Sequence, residues 1–167
     1  SDPNTDLFVE VCEFVSSEVK KFVDKSIDKS EESLWETFAA IRRNNFQDHQ
    51  HTIKTKVMIP ISNMATKTTQ LDGIEEIDGR TNIYEAKRYN TVAIQNILQL
   101  WGNWTFVCEA ITDHTKAKPV LLIDASNSYK LSPDLCEKVR ILASRNHYGF
   151  PLEVWNYKAE RLYQYTV

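Results

Sequence analysis

Apolar residues in the first quarter of the chain recur at three- and four-residue steps, with polar residues between them. This spacing is typical of amphipathic helices. It runs from Leu7 to Val23 and resumes after Ser30-Glu31-Glu32-Ser33, at Leu34, Trp35, Phe38 and Ile41. Serine and acidic residues suit a helix start, because they cap and neutralise its free N–H groups. We therefore predict one helix over 7–23 and a second one that ends near Asn44.

The pattern then changes to a period of two, which is typical of half-buried strands. Residues 53–58 alternate before Pro60, which ends a strand or confines it to an edge. Two further alternating stretches flank Asp78-Gly79. This dipeptide favours a two-residue hairpin turn, because both positions tolerate positive φ. The pattern thus predicts three consecutive strands, the last two joined by a tight turn.

The second half of the chain mixes both periods. Its predicted elements are a helix over 91–104, a continuously apolar buried strand over 119–124, a helix from Ser132-Pro133 to about Arg145, and strands over 150–157 and 161–167. The complete order, α-α-β-β-β-α-β-α-β-β, predicts an α/β fold in which helices pack on a mixed sheet. We expect one domain over 1–167, with 1–5 disordered or left from a tag and 6–29 as a helical extension.

Composition excludes several classes of protein. Hydrophobic residues make up 42% of the 167 residues and the net charge is -3, so the chain is not a disordered or generally basic protein. Three cysteines without C-x-x-C spacing suggest neither a disulfide framework nor a zinc site. No apolar run is long enough to cross a bilayer and no signal segment opens the sequence. We expect a soluble intracellular protein, cytoplasmic or nuclear, without a membrane partner.

The predicted hairpin brings acidic residues together. If Ile77 pairs with Arg80, then Asp72 faces Glu85 and Gln70 faces Lys87, all on one face of the sheet. Two facing carboxylates repel each other unless a cation lies between them, and oxygen ligands suit Mg²⁺ or Mn²⁺. A lysine beside such an ion can orient the attacking water. The cluster therefore predicts a metal-dependent phosphodiester hydrolase, and the alternative is a solvated polar hairpin.

The segments "LDG" (71–73) and "YEAKRY" (84–89) resemble the PD-(D/E)xK nuclease superfamily, also called restriction-endonuclease-like. The resemblance in element order covers most of residues 31–125. It implies an α-β-β-β-α-β core, here with an extra N-terminal helix and a C-terminal helix plus strands. It also implies metal ligands at Asp72, Glu85 and the carbonyl of Ala86, with Lys87 at the attacking water. The family's leading proline is replaced by Leu71.

The same resemblance suggests supporting residues. A helix acid often completes the metal shell, which points to Glu36, although its place away from Leu34, Phe38 and Ile41 favours a solvated helix face. A glutamine after E-x-K points to Gln95, which shares a helix face with Gln99. His49 and His51 are expected in an exposed loop. Basic residues that flank the site are candidate phosphate contacts: Arg42, Arg43, Lys54, Lys56, Lys67, Arg88 and Lys116.

Three functions follow from these patterns. The first is a Mg²⁺- or Mn²⁺-dependent DNA endonuclease, with nucleic acid as its partner. The second is an RNA endonuclease of viral or toxin-like effector type, and the third is an inactive nuclease-fold module for binding or assembly. A homodimer is left open, with the aromatic-rich segment 150–167 as either an interface or a core hairpin.

Overall fold

The computed structural model describes residues 29–60, 68–125, 129–158 and 161–167. The predicted first helix over 7–23 and the segment 1–5 lie outside the described residues. The helices and strands are α1 Lys29–Asn45, β1 His51–Pro60, β2 Thr68–Ile77, β3 Arg80–Ala86, α2 Ile94–Ala110, β4 Ala117–Ile123, α3 Pro133–Ser144, β5 Glu153–Lys158 and β6 Arg161–Thr166. None of the helices in these ranges is long and apolar enough to cross a membrane.

Every element predicted from residue 30 onward is present. The helix predicted to end at Trp104 continues as α2 to Ala110, because the apolar spacing persists through Val107 and Cys108, which are buried. The predicted cap of α3 is also found, since the Ser132 hydroxyl accepts a hydrogen bond from the N–H of Leu135 at 3.2 Å.

The six strands form one mixed sheet in the order β1-β2-β3-β4-β5-β6. The first three strands are antiparallel neighbours. β4 is parallel to both β3 and β5, and β6 returns antiparallel to β5. Helix α2 connects β3 to β4 and α3 connects β4 to β5, as parallel neighbours require. The predicted α/β fold with a mixed sheet is therefore confirmed.

Two hydrophobic cores cover the two faces of the sheet. Trp104 and Leu100 of α2 pack with Ile83 and Leu121 in one core. Trp35 and Phe38 of α1 pack with Tyr84, Leu122 and Trp155 in the other. Successive β4 residues alternate between the two cores, which explains why the sequence of this strand is continuously apolar.

The hairpin between β2 and β3 forms as predicted. Asp78 and Gly79 have φ values of 48° and 81°, as a two-residue turn of type I′ requires. Ile77 pairs with Arg80, and Ile74 pairs with Ile83. This register determines which side chains meet at the far end of the two strands.

Gly73 of β2 allows α1 to pack closely against the sheet. A Cβ atom at this position would overlap the indole ring of Trp35, so only glycine allows the helix to approach this closely. The indole Nε1 of Trp35 donates to the hydroxyl of Thr55 at 2.8 Å. The first turns of α1 are thereby held over the part of β2 that carries Asp72.

Candidate active site

Where the backbone pairing of β2 with β3 ends, the side chain of Asp72 accepts a hydrogen bond in place of a backbone carbonyl. The pairing of β2 with β3 runs as far as Gly73 and Tyr84. Beyond it, the Asp72 carboxylate (Oδ2) accepts a hydrogen bond from the backbone N–H of Ala86 at 2.7 Å. Asp72 therefore lies beside Glu85, as the hairpin register predicted.

Glu85 is buried without full hydrogen bonding. Only 4% of its surface is exposed, and within the described part of the chain its Oε2 atom has no hydrogen-bond partner. Burial, and then the charge of Asp72, raise the pKa of Glu85 to about 9, although Lys87 opposes the shift. A buried charged oxygen without a partner is unfavourable, so this position favours a proton or a cation at neutral pH.

The pKa of Asp72 is also raised, to about 6, chiefly by burial. The Ala86 N–H and the charges of Lys87 and Lys56 lower it in part, while Glu31 raises it. Because the two neighbouring carboxylates disfavour each other's charge, the pair has a strong electrostatic preference for added positive charge.

Lys87 is held at both its backbone and its side chain. Its N–H donates to the carbonyl of Leu122 in β4 at 2.9 Å, and its Nζ donates to Glu31 in α1 at 3.2 Å. Burial acts to lower the pKa of Lys87, but the Glu31 hydrogen bond and the nearby carboxylates outweigh burial and raise it. Lys87 is therefore a fixed ammonium group among acidic side chains.

The start of α1 completes the site. A pocket opens between this helix and the strands, and its lining includes Glu31, Glu32, Lys56, Gln70 and Asp72. The Nζ of Lys56 donates to Glu32 at 2.7 Å. Lys56 of β1 and Lys87, which follows β3, are thus paired with two consecutive glutamates of one helix, and both glutamates line the pocket.

The predicted supporting residues do not all lie at the site. Glu36 is exposed on α1, whereas Glu31 and Glu32 face the pocket one turn earlier. Gln95 is exposed in the first turn of α2. One turn later, Gln99 donates to the backbone carbonyl of Gln70 at 3.1 Å. Of the two glutamines named from the sequence, Gln99 and not Gln95 therefore contacts β2, and the acids at the pocket, Glu31 and Glu32, were not singled out.

Helical spacing contains a signal for Glu31. Positions 31, 35, 38 and 42 follow steps of three and four residues and share one face of α1. Trp35 and Phe38 on this face are buried against the sheet, and Arg42 forms an ion pair with β2. Glu36 is displaced by about 100° from Trp35 around the helix, which puts it outside this face.

The oxygen ligands at this site are of the type that a hard cation binds, and they are few. Among the residues that the structure describes, no group of three or more His, Cys, Asp or Glu side chains is gathered to hold a metal ion. Asp72 and Glu85 form a pair of carboxylates, with the Ala86 carbonyl next along β3. Mg²⁺ keeps several waters and is commonly bound through one or two carboxylates. Two carboxylates and a carbonyl are oxygen ligands of the type that Mg²⁺ and Mn²⁺ bind, and one oxygen of Glu85 lacks a hydrogen-bond partner among the described residues.

A second polar cluster lies on the α1 face and was not predicted. Glu75 is fully buried and accepts two hydrogen bonds from Arg42, at 2.8 and 2.9 Å. Asn82 and Tyr84 also donate to it, at 2.9 and 2.7 Å. Burial alone would raise the pKa of Glu75, but Arg42, Tyr84 and Asn82 outweigh burial and lower it to about 2. Arg42 therefore binds the sheet and is not a candidate phosphate contact.

His51 joins this cluster, which corrects the expectation of an exposed loop. It begins β1, its side chain is 4% exposed, and its Nε2 lies 2.8 Å from the carboxylate of Glu75. His49 is exposed as expected, with its Nδ1 at 2.7 Å from Asp78. His51 is buried because the register of β1 places it over Glu75, which its own sequence neighbours do not reveal.

Comparison of the chain with models of known protein families, with curated proteins and with solved structures found no match. The function of the chain is therefore inferred from the geometry of its site.

Proposed function

We propose that the chain is a Mg²⁺- or Mn²⁺-dependent nuclease, acting as a DNA endonuclease. The observation that carries this proposal is the pair formed by the partly buried Asp72 and the buried Glu85, in which one oxygen of Glu85 has no hydrogen-bond partner in the described residues. Lys87 follows two positions after Glu85 and lies close enough to both acids to affect their pKa values. A site built in this way favours a divalent cation and leaves an ammonium group beside it.

The order of elements supports the same proposal. From α1 to β4 the chain runs α-β-β-β-α-β. The first three strands are antiparallel and the fourth is parallel to the third. The same order is implied by the resemblance of "LDG" and "YEAKRY" to the PD-(D/E)xK superfamily, so we propose a restriction-endonuclease-like core. The two acids lie on the second and third strands, where the resemblance expects them.

Each residue has a distinct role in the proposed reaction. The carboxylates of Asp72 and Glu85, with the carbonyl of Ala86, would hold the metal ion. When bound, this ion supplies a lowered pKa to coordinated water and neutralises charge on the phosphate. The Lys87 ammonium orients the attacking water, and its position depends on the hydrogen bond to Glu31. We assign the helix-acid role to Glu31 in place of Glu36, since Glu31 lies at the pocket.

Gln99 is the better candidate for the glutamine that orders the site. It contacts the backbone of Gln70, and Gln70 lines the pocket beside Asp72. Gln95 precedes it by one turn on the same helix and is exposed. With a net charge of -3, the chain must attract the nucleic acid through local cations and not through its overall charge.

Titration calorimetry with Mn²⁺ tests the metal site. Wild type is expected to bind the ion, and Asp72→Asn is expected to lose binding because the amide keeps an acceptor for the Ala86 N–H but carries no charge. Asp78→Asn is the matched control, since Asp78 is an exposed aspartate at the turn of the same hairpin. Absence of binding by the wild type, or equal binding by all three proteins, contradicts the proposal.

Cleavage assays test the reaction and its substrate. Wild type with Mn²⁺ is compared with Lys87→Ala on duplex DNA, single-stranded DNA and single-stranded RNA, with circular dichroism to verify folding. Loss of duplex cleavage in the folded variant is the expected result. Preferential cleavage of RNA would assign the protein to RNA endonucleases, and Mn²⁺ binding without any cleavage would identify a catalytically inactive module.

A further inference from the structure

Lys56 has an unusual backbone conformation at the centre of β1. Its φ is 54°, in the left-handed region that residues other than glycine, asparagine and aspartate rarely adopt. Thr55 pairs with Gly73, and Val57 pairs with Leu71. The intervening residues, Lys56 and Asp72, are not paired in this register. The irregularity of β1 thus occurs directly opposite the proposed metal ligand.

The side chains of β1 switch from one face of the sheet to the other at this irregularity. Ile53 and Val57 are four residues apart and would share a face of a regular strand. Instead, Ile53 packs in the core under α1, and Val57 packs in the core with α2. On β2, Leu71 likewise packs in the core with α2, while Gly73 lies against Trp35. The rotation of both strands directs Lys56 and Asp72 together into the pocket.

The Lys56 ammonium is close to the acids and accessible from solvent. Its positive charge contributes to lowering the pKa of Asp72. Its side chain is 28% exposed and that of Glu32 is 30% exposed, whereas the side chain of Glu31 is 16% exposed. The Lys56–Glu32 pair is therefore more exposed than the Lys87–Glu31 pair, in which the side chain of Lys87 is 23% exposed.

We propose that Lys56 binds a phosphate of the nucleic-acid strand being cut, exchanging its contact with Glu32 for a non-bridging phosphate oxygen. This inference rests on the proposed nuclease function. Three acids line the pocket, Glu31, Glu32 and Asp72, and their charge repels a polyanion, so the strand needs a cation that can reach it. Lysine supplies such a charge to phosphate without reading the base sequence. Strained backbone conformations are retained mainly at functional sites. Here the left-handed conformation of Lys56 directs its ammonium group into the pocket.

Phosphate contacts are revealed by the salt dependence of binding. Affinity for a fluorescein-labelled DNA duplex is measured by anisotropy in Mn²⁺ over a range of salt concentrations, in a Lys87→Ala background that does not cut. Lys56→Gln is expected to weaken binding and to reduce the slope of log affinity against log salt by about 1. Lys118→Gln is the matched control, because Lys118 also forms a 2.7 Å pair with a glutamate, Glu153, at the other end of the sheet.

Two further variants separate charge from folding. Lys56→Gly removes the charge but accepts the left-handed backbone, so it should fold at least as well as wild type and show the same reduced salt slope. Lys56→Arg should keep the slope. If Lys56→Gln, Lys56→Gly and Lys118→Gln all bind with the slope of the background protein, the inference is wrong. Failure of the wild type to bind Mn²⁺ would instead overturn the proposed function itself.

Discussion

Glu31 and Lys87 are 56 positions apart in the chain, and the Nζ of Lys87 donates to the Glu31 carboxylate at 3.2 Å. This hydrogen bond joins the first turn of α1 to the residue that follows β3. It determines where the ammonium group lies relative to Asp72 and Glu85. The proposed chemistry therefore depends on how the helix docks as much as on the hairpin that carries the acids.

Glu31→Gln should lower cleavage activity by about 10- to 100-fold, the range usual for residues that orient a metal site or its ligands. The amide removes the charge that holds Lys87 in place. Glu36→Gln is the matched control, because Glu36 is an exposed glutamate on the same helix, and it should retain full activity. Steady-state cleavage rates at saturating Mn²⁺ decide the point. A larger loss in the Glu36 variant than in the Glu31 variant would contradict the role given to Glu31.

Glu85→Gln should abolish Mn²⁺ binding while the metal-free protein stays folded. Wild type should gain about 2.7 kcal/mol of stability at a Mn²⁺ concentration one hundred times its Kd, and the variant should gain none. The measurement is thermal unfolding with and without Mn²⁺. An equal gain in both proteins would show that Glu85 is not a ligand.

The same variant should change how stability depends on pH. The pKa of Glu85 is raised from 4.5 to about 9 in the fold. The folded state therefore holds more protons than the unfolded state between these values, and the metal-free wild type should lose stability as pH rises through this interval. Glu85→Gln has no proton to lose, so its stability should fall less between pH 5 and 9. Parallel curves for the two proteins in urea unfolding would refute this expectation.

Gly73→Ala should destabilise the protein by about 1–3 kcal/mol, because the added methyl group displaces Trp35 and overpacks the contact. Activity should fall as well, since the shift of α1 moves Glu31. Gly102→Ala is the control, because Gly102 is an exposed helical glycine with open space around its Cβ position. That variant should stabilise the protein by about 0.5–1 kcal/mol. Urea unfolding measures both effects, and comparable free energies for the two variants would argue against the role of Gly73.

Acid should weaken the fold through Glu75. Its pKa is lowered from 4.5 to about 2, so the stability it contributes is present above pH 4.5 and is lost as pH falls toward 2. Glu75→Gln should cost about 3–5 kcal/mol at neutral pH, because it leaves the guanidinium of Arg42, which is only 13% exposed, without its charge partner. It should also flatten the acid side of the stability curve.

Glu137→Gln provides the comparison for Glu75. The Glu137–Arg140 pair is exposed, with side-chain exposures of 57% and 66%, and exposed pairs contribute about 0–1 kcal/mol. Denaturant unfolding from pH 2 to 8 gives both curves. A small effect at Glu75, similar to that at Glu137, would show that the buried network does not stabilise the fold.

The sequence by itself determined the order of helices and strands and the pairing within the hairpin. These features depend on residues close together in the chain: the apolar period of each segment, Ser132 at its cap, and Asp78-Gly79 at a turn that needs two positive φ values. The meeting of Asp72 with Glu85 follows from that turn by counting. Local periodicity and the turn were therefore sufficient to predict that the two acids of the candidate site meet.

Only the tertiary structure decided which residues of other elements surround those acids. Because Gly73 has no side chain, Trp35 packs directly against it. This contact positions α1 so that Glu31, and not Glu36, approaches Lys87. Arg42 meets the buried Glu75 through the docking of α1, and His51 meets it through the register of β1 against β2. The left-handed conformation of Lys56 likewise depends on the way β1 changes faces between two cores. Apart from the helical spacing that puts Glu31 on the same face of α1 as Trp35, no local pattern encodes these contacts, because each is stabilised by packing between segments distant in the chain.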